Sequence, residues 1–262
     1  MKALPPGTIL QHMYLKRRLK LLKTGFFIEV GAGSGDITSI LVSSGWKGVV
    51  FEMDVDSALA LSRRFKKEIS AGVLTILNQD FTKYIQPELK ADLVLSSMVM
   101  EHFTDEEQCE FLYKSSQMLN SNGLLLGLVP SSPKHWGIED EIAGHYRRYS
   151  ANSLSELLSN SQWELSHVTG LTYPLSNIVL PLSNYLVSRS ESHKKSMSAI
   201  ERTSLSGRRN VPLKTHFPLM FKLLLNPFTL SPFYLLQRVF KNSPFSLVIY
   251  FEACPVKGDK NV

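Results

Sequence analysis

Residues 29–35 read Glu-Val-Gly-Ala-Gly-Ser-Gly, an acid two positions ahead of three glycines that recur at every second residue. Glycines let a backbone turn through left-handed conformations and approach a ligand with no Cβ in the way, and a helix starting just beyond them offers its free N–H groups. The chemistry implied is nucleoside binding, with Glu29, Gly31, Ala32, Gly33 and Gly35 as the candidate contacts. A dinucleotide fingerprint wants Gly or Ala at the position of Asp36, so a nicotinamide cofactor fits this loop less well. Two further acids fall where such a ligand would need them. Glu52 ends the next apolar run and can accept hydrogen bonds from both ribose hydroxyls, with Asp54 as a nearby alternative. In Asn78-Gln79-Asp80-Phe81, Asp80 can take the amino group of an adenine while Phe81 covers its ring.

A second group of residues has the types that move protons. His102, His135 and His145 are candidate bases, and Glu101 and Asp140 could orient them. Gly144-His145-Tyr146-Arg147-Arg148-Tyr149-Ser150 is the most distinctive stretch beyond the glycine loop. There His145 is the candidate catalytic base, and Arg147 or Arg148 could bind an anionic group. The competing reading pairs these arginines with Glu139, Asp140 or Glu141 and makes His145 a turn cap.

The elements that must position these residues alternate. The patterning predicts an amphipathic helix over 9–22, a strand over 26–30, a helix over 36–44, a strand over 48–52 and a helix over 56–70. Strands over 73–77 and 91–96 follow, then a helix over 105–119, a strand over 124–129, a helix over 153–160 and strands over 163–169 and 247–253. Short apolar strands alternating with helices predict an α/β fold, a doubly wound, mostly parallel sheet with helices on both faces. In such a sheet ligands bind beyond the carboxyl ends of the strands where strand order reverses, which gathers the loops after Val30, Glu52, Leu77 and Ser96 around one crevice.

With these motifs in this order, the chain resembles the class I S-adenosylmethionine-dependent methyltransferases, bacterial members of the type 11 and 12 kind. Glu29 to Gly35 match their motif I, Glu52 the ribose acid and Asp80 the adenine acid. Ala91 to Ser97, followed by Met100-Glu101-His102, resembles the fourth-strand motif, and the resemblance puts Ser96 beside the methionine part of the cofactor. Met118 to Gly123 resembles the post-helix turn, with Ser121-Asn122-Gly123 where Pro-Gly-Gly is usual; Asn and Gly both tolerate the left-handed backbone such a turn needs. The stretch 144–150 resembles a Gly-His-x-Arg-Arg-Tyr signature of bacterial members from glycan and natural-product clusters, on the acceptor side. The resemblance implies a Rossmann-like seven-stranded sheet, S-adenosylmethionine as cofactor and methyl transfer. Glu101-His102 is also similar to the metal-holding Glu-x-x-Glu-His run of small-RNA 2′-O-methyltransferases. Met98 replaces the first glutamate, and a thioether in place of a hard oxygen ligand disfavours Mg²⁺, so no metal is expected.

The domain expected spans 1–170 and 244–256, with 171–243 as a helical insertion or lid. A polar, Ser- and Lys/Arg-rich run at 188–210 precedes the apolar-aromatic run 217–240. Lys222, Asn226, Pro227, Pro232 and Gln237 interrupt the latter, which excludes a transmembrane span and leaves a lid, a dimer surface or an element resting on lipid. The net charge of +6 over 262 residues favours anionic neighbours without choosing among them. Cys109 and Cys254 stand far apart with no metal-ligand spacing, which fits a reducing compartment, and the first 23 residues lack the pattern of a secretory signal. The expectation is a cytoplasmic enzyme, or one peripheral at the inner face of the membrane. Its acceptor would be a small molecule, or one linked to a glycan or lipid, rather than nucleic acid. A scaffold that keeps the fold without turnover and a nicotinamide oxidoreductase are the competing classes.

Overall fold

The computed structural model describes residues 3–86, 88–197, 202 and 211–256. Helix α1 (Pro6–Leu19) leads into β1 (Phe26–Val30), α2 (Asp36–Ser43), β2 (Lys47–Phe51), α3 (Val55–Arg64), α4 (Lys66–Ser70) and β3 (Leu74–Leu77). Then come β4 (Ala91–Ser97), α5 (Asp105–Met118), β5 (Leu119–Pro130), α6 (Ile138–Ala143), α7 (Ala151–Asn160) and β6 (Trp163–Leu171). Helices α8 (Leu175–Glu191) and α9 (Ser231–Val239) and strand β7 (Val248–Pro255) complete the order.

One seven-stranded sheet runs β3-β2-β1-β4-β5-β7-β6. Its first five strands are parallel, and β7 enters antiparallel between β5 and β6. The strands are buried on both faces, with Phe27, Ile28, Val94, Leu95, Leu125, Leu126, Tyr250 and Phe251 fully sequestered, as expected of a sheet covered by helices on each side. Strand order reverses between β1 and β4, so the crevice opens at the ends of those two strands.

Several boundaries differ from the sequence reading for physical reasons. The single helix expected over 56–70 is two, broken at Phe65, whose backbone leaves helical geometry (φ −104°, ψ 25°) while its ring is buried. Asp54 caps the first of these, accepting from Ser57 N–H at 2.8 Å. Strand β5 starts at Leu119, before the Asn122-Gly123 turn, because Ala91 pairs with Leu119 across a register shift in β4. Helix α5 begins at a capping box in which Thr104 Oγ1 accepts from Glu107 N–H (3.3 Å) and Glu107 accepts from Thr104 N–H (2.8 Å). Helix α6 has no counterpart in the sequence reading, and α8 falls within 171–243, expected only as a helical insertion without bounds for its helices. Of the polar run 188–210, residues 198–201 and 203–210 lie outside the described residues. The run 217–240 divides into a 3₁₀ turn (Leu219–Leu223) and α9.

Helix α1 is tied to the far edge of the sheet. Arg18 donates two hydrogen bonds to the Glu252 carboxylate on β7, at 2.8 and 2.7 Å, and Tyr14 stands 2.8 Å from His167 Nε2 on β6. The first turn of α1, Pro6 to Thr8, lies over the crevice.

Candidate active site

The glycine loop leaves β1 through three left-handed glycines, Gly31 (φ 71°), Gly33 (φ 52°) and Gly35 (φ 78°). A Cβ on Gly31 would sit 2.6 Å from Val99 and one on Gly35 2.5 Å from Leu61, so these two are fixed by packing as well as by backbone. A Cβ on Gly33 would meet nothing within 4 Å. The loop's open side is therefore at Gly33, which leaves room for a ligand to lie against the backbone.

Glu52 is buried and braces this loop. Its Oε2 accepts Gly33 N–H at 3.0 Å, and its Oε1 accepts Asp54 N–H at 3.1 Å. Glu29 faces the crevice from β1 and accepts from Thr38 Oγ1 at 2.6 Å. Burial pushes its pKa up to about 7; the Thr38 hydrogen bond opposes this, and the nearby Glu52 and Asp36 charges add to it.

A cavity of ≈730 Å³ lies over the carboxyl ends of β1 and β4. Glu29, Gly31 and Ala32 form one wall and His145 and Arg148 another. The start of α1 covers it, along with Val179 and Leu182 of α8 and the segment from Leu213 to Phe221. Lys214 from that segment pairs with Glu139 at 2.8 Å across the rim.

Three of the remaining expected contacts fall elsewhere. Phe81 is 2% exposed, its ring packed edge-on against Phe51 and tilted against Phe111, so it is a core side chain and does not reach the crevice. Ser96 points into the interior at 1% exposed, with Oγ lacking a hydrogen-bond partner among the described residues. Strand alternation turns its neighbour Ser97, with Met98, toward the cavity instead. Asp80 is half-buried outside the cavity wall, accepting from Thr82 N–H and Oγ1, both at 2.9 Å.

Across the cavity from the glycine loop, α6 and the loop after it assemble a buried charged cluster. His145 Nδ1 lies 2.9 Å from Asp140 Oδ1, and Arg148 Nε donates to the same oxygen at 2.8 Å. Burial works against the Asp140 charge, but the hydrogen bonds from His145 and Arg148 outweigh it and hold its pKa below the ordinary carboxylate value. Asp140 is therefore an acceptor, and His145 gives it the Nδ1 proton, which leaves Nε2 free to accept one. Glu101 is fully buried 3.9 Å from that Nε2, with no hydrogen-bond partner for either carboxylate oxygen among the described residues. Burial raises its pKa to about 7. The His102 ring stands edge-on to His145 at 4.8 Å, its pKa lowered to about 4 by burial and by the His145 charge. Glu101, His102 and His145 bring one ligand-type atom each within 4.8 Å, a spacing that would also suit a cation.

The two arginines separate. Arg148 is locked to Asp140 and to the Ser131 carbonyl (3.1 Å), while Arg147 turns to Asp105 and the Phe103 carbonyl at the start of α5. Both are taken up by internal partners, as the competing reading of this stretch had it for Arg148. Tyr149 is buried, donating to Gln108 Oε1 (2.6 Å) beside the Met100 carbonyl (3.0 Å), and so anchors the stretch to α5. His135 lies apart, against Ser132 and Phe245. Sequence reasoning expected a lid somewhere in 171–243, where α8 lies, but missed the cover from Leu4 to His12, because nothing local marks a helix that closes over a distant loop.

A parallel sheet with one antiparallel strand inserted in this order, and a glycine loop at the end of β1, defines the class I S-adenosylmethionine-dependent methyltransferases. The chain belongs to the methyltransferase domain family, whose model matches residues 9–168. It is 31% identical over 81 residues to the "uncharacterized methyltransferase YrrT" of Bacillus subtilis, a match covering 31% of this chain and 36% of that one. The chain spans less than half the length of the curated relatives it matches. Among solved structures, a putative sarcosine dimethylglycine methyltransferase from Galdieria sulphuraria superposes with a TM-score of 0.59 at 13% identity, covering 95% of this chain and 85% of that one. An S-adenosylmethionine-dependent methyltransferase from Clostridium acetobutylicum gives 0.56 at 10% identity, covering 95% and 91%. At such identities the likeness is one of fold.

Proposed function

We propose that the chain transfers the methyl group of S-adenosylmethionine to an oxygen of a small-molecule acceptor, free or carried on a glycan or lipid. One observation carries the reading: the glycine-loop residues Glu29, Gly31 and Ala32 and the base candidate His145 line the same ≈730 Å³ cavity.

The residues present fit the cofactor. We read the open face at Gly33 as the nucleoside's place, Glu52 behind it as the ribose acid and the Glu29 carboxylate in the cavity as the partner of an ammonium group. Asp80 is read as the adenine contact, while Phe81 and Ser96 back the wall from the interior. When bound, the cofactor supplies an electrophilic methyl group on a sulfonium. The chain's own task is to align the acceptor in a site closed to water and to take its proton. His145 Nε2 accepts the hydroxyl proton, and Asp140 steadies the resulting imidazolium through Nδ1. An oxygen acceptor explains a half-buried base better than a nitrogen one, since the lone pair of a neutral amine can be methylated first and its proton lost afterwards.

The test incubates the full chain with labelled S-adenosylmethionine and native extracts, separated into small-molecule, lipid, glycan, protein and RNA fractions. Label is expected in an alkali-stable ether in one of the first three. Label confined to protein or RNA would sink the acceptor reading, and binding of NAD(P)H in preference to S-adenosylmethionine would sink the cofactor one.

A further inference from the structure

Residues 1–28 and 202–251 contain no Asp or Glu and together hold thirteen Lys and Arg, whereas 29–201 holds fourteen basic and twenty-one acidic residues. The modest net charge of +6 thus hides a strongly basic part and an acidic part. The fold joins the two acid-free stretches. Ala3 and Phe217 exchange backbone hydrogen bonds, both 3.0 Å, and Ile9 and Leu10 of α1 share a buried cluster with Leu230, ringed by Leu225 and Tyr234.

Between them lies a second cavity of ≈740 Å³, with Lys16, Arg17 and Lys20 on the α1 side and Lys222, Leu225 and Pro227 on the other. None of the described residues lining it is acidic. The segment from Phe221 to Phe228 faces three ways. Phe221 lines the cavity over the glycine loop, Lys222 and Leu225 line the basic one, and Leu223 (83% exposed) and Phe228 (87% exposed) stand out in solvent. Met220 and Leu224 beside them, Leu235 and Val239 on α9, and Ile178 and Leu182 on α8 are exposed as well.

Isolated exposed apolar residues are ordinary, but this many on neighbouring elements mark a contact surface. Charge decides what it contacts. A second copy of the same face would set basic residues against basic residues, and a nucleic acid would leave the leucines and phenylalanines in water. A surface that is anionic at the headgroups and apolar just below them meets both requirements. No described helix is long and apolar enough to cross a membrane, so the element rests on the surface. We infer that α1 and the segment 214–240 form a docking face for a bilayer rich in anionic phospholipid. The face places the mouth of the active-site cavity, at Leu182 and Phe221, beside the lipid. The inference deepens the lipid-carrier part of the proposed function, but vesicle binding does not depend on methyl transfer.

The test is flotation of the full chain with phosphatidylcholine vesicles, with and without a quarter of phosphatidylglycerol, at low and high salt. Binding is expected only with phosphatidylglycerol, and should weaken with salt because surface charges are screened. The double variant L223E/F228E replaces two side chains that already face solvent, so its melting temperature and S-adenosylmethionine affinity should match the parent. It is expected to lose at least tenfold in vesicle affinity, and K16E/K222E the same. Equal binding to uncharged and anionic vesicles, no binding to either, or parental binding by L223E/F228E would each overturn the inference. So would light scattering that shows a dimer disrupted by L223E/F228E. Failure to find a methylated acceptor would leave the vesicle result standing.

Discussion

The imidazole of His145 and the carboxylate of Asp140, 2.9 Å apart, form a dyad in which the buried acid fixes which ring nitrogen carries the proton. The two residues are five apart in sequence, bridged by the end of α6 and the left-handed Gly144 (φ 77°) that stops it. His145 N–H also bonds back to the Asp140 carbonyl at 3.0 Å, so backbone and side chain together hold the pair.

If His145 takes the acceptor's proton, H145A should lower turnover by about 10²- to 10⁴-fold, the range general-base removal gives, with S-adenosylmethionine affinity unchanged. Single-turnover methyl transfer beside calorimetric cofactor binding would measure both. Full activity in H145A would remove it as the base. Asp140 is a poorer probe, because it also accepts from Gly137 N–H and Arg148, and its loss should lower the melting temperature too.

The cofactor loop can be tested at two points. G33V places a branched side chain where nothing lies within 4 Å, so it should block ligand while costing the fold only its left-handed strain, about 1–2 kcal/mol. E52A removes the acceptor for two backbone N–H groups and should weaken both stability and binding. Calorimetry is expected to show at least a tenfold loss of S-adenosylmethionine affinity in each. Parental affinity in G33V would place the cofactor elsewhere.

Cofactor affinity should depend on pH through Glu29. Its pKa of about 7 in the folded chain means that it is largely protonated below that value and anionic above it. A cationic ligand favours the anion, so affinity should rise with pH and level off above pH 7, falling about tenfold per unit below it. In E29Q the profile should flatten. The neighbours Glu52, Asp36 and Arg64 remain in both proteins, so the difference reports Glu29.

Glu101 makes a separate prediction about stability. Its folded pKa, about 7, lies above the ordinary carboxylate value of 4.5. The stability that a protonated Glu101 contributes is therefore whole below about pH 4.5 and lost as pH rises to about 7. His102, lowered to about 4, acts in the opposite sense over about pH 4 to 6.5, and is common to parent and variant. The melting temperature of E101Q minus that of the parent should thus climb between pH 4.5 and 7 and stay flat on either side. A difference independent of pH would mean that Glu101 is already ionised when buried.

Metal removal gives the fifth test. Proton transfer by His145 needs no cation, so methyl transfer should survive exhaustive chelation. Loss of activity with EDTA, restored by Zn²⁺ or Mn²⁺, would instead assign Glu101, His102 and His145 to a metal, a donor set of one carboxylate and two imidazoles that those ions accept.

Much of this was legible in the chain itself. The glycine loop, the strand and helix that flank it and Glu52 are set by neighbours within about twenty-five residues. Local patterning can encode them, because a left-handed turn favours glycine. The alternation of strands and helices likewise dictated a doubly wound sheet.

Other features depended on contacts between distant parts of the chain. Phe81 reads as a ring available to adenine, yet Phe51 and Phe111 enclose it, and Ser96 faces the core because strand alternation assigns the crevice to Ser97. The pairing of Arg148 with Asp140 and of Arg147 with Asp105 was open until α5 and α6 were placed. No local signal brings residues 3–28 against 211–240, since that pairing rests on Ala3 with Phe217 and on Leu10 with Leu230. The sequence alone determined a glycine loop of the kind a nucleoside can lie against. Only the tertiary structure decided what closes over it and which carboxylate holds His145, because both follow from burial and charge pairing between segments that local patterning does not connect.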